Sequence, residues 1–194
     1  MSAQAAASAS AWVRGGQTAR RTARRAPGRR PGDQVVGHPI RHLGIPKVRG
    51  RFTGFDTELH VGRTVEETRV SATIELASID TGNADRDAHV RASDLLDVEK
   101  RPTMTFRSTR VSGAGEDWTM DGELTIGDVT RPVTLAVEFG GLVDVPMEGA
   151  GRHAGFEATG EIRRSDYGLD FAPGLLGEVV KIQLDMQFVE PAGA

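Results

Sequence analysis

Arg86, Asp87 and His89 form the polar constellation with most to offer chemically in this 194-residue chain. An acid, a base and a cation within one helical turn could serve as a general acid/base set. The same residues equally fit a helix start docked on the rim of a sheet, with Asp87 and Arg91 bonding along the surface four residues apart. No nucleophile or oxyanion donor accompanies them, which favours the structural reading. Asp80, Asn83, Asp85 and Asp87 cluster just upstream and invite a calcium reading, but their spacing departs from the EF-hand rule. A turn followed by a helix cap accounts for them more simply. The five histidines show no metal-ligand spacing, and the absence of cysteine excludes thiolate sites, disulfides and cysteine nucleophiles. Neither a G-x-S-x-G elbow nor a phosphate loop occurs. No metal site is expected.

The elements that must carry these residues read mostly as strands. Val70, Ala72, Ile74 and Leu76 alternate with polar residues; so do Trp118, Met120, Leu124 and Ile126, then Val133, Leu135, Val137 and Phe139, and finally Ile182, Leu184, Met186 and Phe188. A period of two marks strands with one dry and one wet face. About eight such strands joined by short turns predict an antiparallel sheet curled round its own apolar face. Short strands are expected at 48–52 and 59–61, a helix over 85–96 ended by Pro102, hairpins at 113–115 and 127–132, and a glycine-rich loop over 140–155. Whether Met104, Phe106, Trp118, Met120, Phe139, Phe156, Phe171 and Met186 fill that interior or line a hollow is left open by periodicity.

Charge divides the chain. Residues 1–34 carry seven arginines and one acid, in a sequence of 24 basic and 27 acidic side chains and net charge −3, so the remainder is acidic. An acidic body argues against a nucleic-acid-binding core. Residues 1–37 lack the apolar content to order themselves and read as a basic, disordered tail. A transit peptide, a phosphate-seeking arm and a start-site or frameshift artefact are the competing readings. No apolar run suits a secretory signal or a bilayer span, so a cytoplasmic protein without a transmembrane segment is expected.

Several stretches together closely resemble the YceI-like family. They are Thr81-Gly82-Asn83-Ala84-Asp85-Arg86-Asp87-Ala88-His89-Val90-Arg91, Asp94-Leu95-Leu96-Asp97 and Arg101-Pro102-Thr103-Met104-Thr105-Phe106, with Arg41-His42-Leu43 and Val48-Arg49-Gly50-Arg51-Phe52 before them. Gly122 to Val133 is similar to the family's G-x-L-T-I hairpin, and Arg164-Ser165-Asp166-Tyr167-Gly168 to its R-S-D-[FY]-G loop. The resemblance spans roughly residues 40–190 and places a domain at 38–190. It implies an all-β, eight-stranded antiparallel, lipocalin-like barrel with one short helix. Its apolar interior would hold a long polyisoprenoid, in some members the tail of a quinone. It further implies a binding or carrier protein without catalytic residues or obligatory cofactor, linked to isoprenoid metabolism, transport or stress; a stress or interaction protein with no obligatory lipid, or an enzyme on a hydrophobic substrate, is the alternative. A homodimer is compatible with this reading. The front departs from the family pattern: Pro31 and Pro39 make residues 28–41 a poor central strand, so the first strand is expected to be atypical or missing.

On that resemblance, strand phase nominates Phe52, Ile74, Leu76, Met104, Phe106, Leu124, Ile126, Leu135, Val137, Phe156, Ile162, Ile182, Leu184 and Met186 as cavity walls. His42, Arg86, His89 and Tyr167 are nominated for the mouth, where a polar head group would sit.

Overall fold

Alternation does fold this chain into strands. The computed structural model describes residues 40–42, 45–114, 117–144, 152–174 and 176–189; the expected tail, residues 1–37, lies outside them. A hairpin of β1 (Ile40–His42) and β2 (Ile45–Val48) comes first. β3 (Arg51–Phe52) pairs with β6 (Ile79–Asp80), and α1 (Ala84–Arg91) follows. The main strands are β4 (Phe55–His60), β5 (Arg69–Glu75), β7 (Thr103–Ala114), β8 (Asp117–Ile126), β9 (Val129–Asp144), β10 (Arg152–Arg163) and β11 (Val179–Val189). These seven form one antiparallel sheet in the order β11-β10-β9-β8-β7-β5-β4.

The sheet is curled. Phe55 and Thr57 of β4 border the same internal cavity as Ile182, Leu184 and Met186 of β11, although these strands are the two edges. Only a sheet bent into a half-barrel brings its edges to one space. The fold is therefore the expected antiparallel, lipocalin-like sheet with one short helix. Among the described residues no ladder joins β4 to β11. The pairing of β9 with β10 stops at Ala136 and Thr159, beyond which β9 keeps only β8 and β10 keeps only β11. Pro132, which cannot donate to a ladder, lies in that one-sided part of β9.

Several local expectations are corrected. The helix ends at Arg91 rather than 96, because Ala92 turns extended with ψ 165°. The chain then folds back through hydrogen bonds from Leu96 N to Val90 O and Asp97 N to Ala92 O. The early strands begin at Arg51 and Phe55, not 48 and 59. The glycine-rich 140–155 stretch is largely strand at both ends, with a register shift at Gly155/Phe156 absorbing its irregularity.

Candidate functional site

Strand phase dictates that the inner face is apolar; what keeps it from packing solid is glycine at two inward positions. A Cβ on Gly122 would lie 2.4 Å from the Phe106 ring, and one on Gly160 would lie 2.5 Å from Leu135 Cδ2. Phe106 pairs with Leu124 and Ser108 with Gly122, so ring and glycine are diagonal neighbours on one face. Each bulky side chain lies flat over a glycine instead of projecting inward.

Three cavities result. The largest, about 460 Å³, lies between α1, the residues following Tyr167 and the inner sheet face. The middle one is about 80 Å³ and the far one about 100 Å³. Met104 and Ile162 border both the large and middle cavities, while Val70, Met120 and Met186 border both the middle and far ones. The three therefore run in series down the half-barrel. At the far end Phe156 touches Phe139 and Phe188 at centroid distances of 5.2 and 5.9 Å. Among the described residues no ionisable side chain borders that end. Thr81, Arg86, His89 and Arg164 border only the large cavity.

With this geometry in view, a family model described as the YceI-like domain matches residues 30–188. The chain belongs to the YceI-like family. Protein YceI of Escherichia coli O17:K52:H18 (strain UMN026 / ExPEC) is 36% identical over 156 residues, 80% of this chain and 81% of that protein. Burkholderia cenocepacia BcnA superposes with a TM-score of 0.69 at 22% identity, covering 80% of this chain and 96% of that one. A polyisoprenoid binding domain from Saccharophagus degradans, implicated in plant cell wall breakdown, superposes with a TM-score of 0.58 at 15% identity, covering 81% and 94%. At these identities the two structures establish the YceI-like fold alone.

All fourteen wall positions of the YceI-like interior nominated from sequence border one of the three cavities. Val137 and Phe156 fall in the far one, and Phe52, Leu76 and Ile126 in the large one. Of the mouth residues, Arg86 and His89 border the large cavity. Arg86 donates from Nε to Thr81 Oγ1 (2.8 Å) and from Nη2 to Thr81 O (2.7 Å). His89 Nε2 lies 3.3 Å from Asp94 Oδ2, and the ring meets Phe171 edge-on at 5.4 Å. Tyr167 is a correction: it is 2% exposed and packs in the core, because the 3-10 turn Arg164–Tyr167 rolls the phenol inward. Burial, aided by the Asp166 charge, pushes its pKa up. The His42 side chain lies outside the described part of the structure.

Asp87 does not join a reactive set. Its Oδ1 accepts from the backbone N–H of Thr81 (2.8 Å) and from Thr81 Oγ1, and the residue is buried. The expected Asp87–Arg91 surface pair is replaced, since Arg91 donates to Ala77 O (2.8 Å) and Ile79 O (2.7 Å). Asn83 caps α1 by accepting from Arg86 N, as the cap reading expects. Among the described residues, no group of three or more His, Asp or Glu is placed to hold a metal ion. No described helix is long and apolar enough to cross a membrane.

Alternation missed the walls contributed by irregular chain. Leu95, Leu96, Leu169, Phe171 and Leu176 border the large cavity from turns, and Val61, Val65 and Thr68 border the far one from the β4–β5 connection. Apolar character within polar loops signals all of them but Thr68, and of these Phe171 alone stood out as an aromatic.

Two carboxylates tie down the rim. Asp80 accepts from Arg51 (Nε 3.0 Å, Nη2 2.8 Å) and from Gly82 N (2.9 Å). Glu178 accepts from Ser165 N (3.2 Å) and Ser165 Oγ. The Gly82 amide, then Arg51, holds Asp80 below the usual carboxylate range; the Ser165 hydroxyl first holds Glu178 there. A depressed folded pKa stabilises above the ordinary value of about 4 and is lost as pH falls through the folded value. Melting temperature should thus decline on acidification below about pH 4, and the Asp80→Asn/Glu178→Gln protein should show a shallower decline than wild type.

Proposed function

We propose that this chain is a non-catalytic carrier that holds a long polyisoprenoid in its half-barrel, the isoprenoid being cargo and not an obligatory cofactor. The observation that carries the reading is the serial arrangement of the cavities, walled at depth by apolar side chains apart from Asp185 at the middle one, with arginines, among the described residues, bordering the α1 end alone. A hydrocarbon chain offers no hydrogen bonds, so affinity must come from burial, about 0.8 kcal/mol per CH₂. Ordering a flexible chain offsets part of this gain. Cationic and hydroxyl side chains at one end suit a polar head group, an isoprenoid quinone ring being one such group. The S. degradans domain of the same fold, named for polyisoprenoid binding, supports the choice of ligand class. Asp87, turned to Thr81, gives no support to an acid/base role.

Native purification followed by organic extraction and mass spectrometry should recover an isoprenoid at near one molecule per chain. Protein that emerges free of lipid, and that fails to take up added polyprenol, overturns the proposal.

A further inference from the structure

Cavities in series are not a uniform tube. The middle and far spaces meet where Val70 (β5), Met120 (β8) and Met186 (β11) converge. In the sheet order β11 and β8 are separated by β10 and β9, and β8 and β5 by β7. Residues that border two separate spaces stand at the junction between them, and these three reach it from different parts of the curled sheet. They therefore ring the constriction that divides the two spaces. Beyond it lies a space of about 100 Å³ ended by the Phe139–Phe156–Phe188 contacts.

Resting on the isoprenoid reading above, we propose that the Met120–Met186 constriction determines the chain length of the ligand. A polar end at Arg86 and His89 fixes where the chain begins. Its depth is then set by whether the terminal units pass the two methionines. Methionine suits this position because its unbranched thioether adapts its rotamer to a passing chain without leaving a permanent hole. Chains too short to reach the constriction leave the far space unfilled and forgo its burial. Chains that pass it gain the contact with the three rings, and still longer ones meet those rings as a stop. Met104, shared by the large and middle cavities, narrows the path earlier but lies before any length difference is expressed.

The test titrates the full chain with a graded series of polyprenols of increasing length. Wild type should show an affinity optimum at one length. Met186→Ala, at a half-buried position, should move that optimum to longer chains. Met186→Phe should move it to shorter ones, weakening the wild-type optimum by about tenfold. Met120→Ala should reproduce the first shift, and melting curves confirm that each variant is folded. An unchanged order of affinities across lengths in folded Met186→Ala and Met120→Ala overturns the inference while leaving the carrier reading intact. Absence of binding at every length in wild type removes both.

Discussion

A Gly122→Val protein is expected to fold but to lose its lipid. The new Cβ alone would sit 2.4 Å from the Phe106 ring, with the carbonyl of Arg107 only 2.7 Å away on the other side. The carbonyl contact is relieved only by a local shift of β8 from β7, and the ring must also swing off the wall into the middle cavity, which holds only about 80 Å³. Overpacking of this kind costs about 1–3 kcal/mol, visible as a lowered denaturation midpoint. Lipid retained after native purification should fall more than tenfold, a change of at least about 1.4 kcal/mol. The double substitution Gly122→Val/Phe106→Leu relieves the ring contact but not the one with the Arg107 carbonyl, so it should restore part of the binding despite removing an aromatic wall. Such non-additivity is the signature of two groups competing for one space. Equal lipid content in wild type and Gly122→Val would mean that the chain does not traverse the middle cavity.

The second large effect is expected at Arg164. This guanidinium is 6% exposed and donates to Gly177 O (3.2 Å) and Leu169 O, with Nε 3.8 Å from the Glu178 carboxylate. It thereby fastens both ends of the segment that brings Leu169, Phe171 and Leu176 to the large cavity. Arg164→Ala leaves two carbonyls without their donor and opens a void, a loss of about 2–4 kcal/mol. Chemical denaturation should show that loss, and amide exchange should accelerate over residues 168–177. Arg164→Lys keeps the charge but not the planar array of donors, so it should recover only part of the stability. Full stability in Arg164→Ala would show that apolar contacts alone hold the segment in place.

Much of this architecture was legible from alternation. The series through Ile74, Met120, Leu135 and Leu184 correctly placed β5, β8, β9 and β11 and the direction their apolar faces take. Strand period is robust because each residue's facing follows from the pleat itself. What alternation could not convey was the length of β9 and β10, since Gly140, Gly141 and Gly155 read as loop while the structure holds them in a bulged ladder. It also misplaced Tyr167, whose motif sits beside a cationic rim but whose orientation depends on a single 3-10 turn. The hollow itself was hidden. Gly122 shares a phase with Met120 and Leu124, yet its meaning depends on which ring across the ladder lies over it. That is register, a property of two strands and not of one.

The parting of β9 from β10 beyond Ala136 and Thr159 has a consequence for the middle cavity, which Val133, Leu135 and Ile162 border. The sheet forks there, and the Arg164–Tyr167 turn sits against β9 like a wedge between two tines. Spreading or closing the tines breaks no rung of the ladder, so this part of the half-barrel can adjust its girth by repacking Leu135 over Gly160 and the turn around Tyr167. The far cavity, bordered by Val137, Phe139 and Phe156 where rungs run unbroken from β8 to β11, has no such freedom. One molecule thus joins a yielding mid-section to an exacting far end; on the carrier reading, tolerance is expected along the middle of a cargo chain and strictness at its tip.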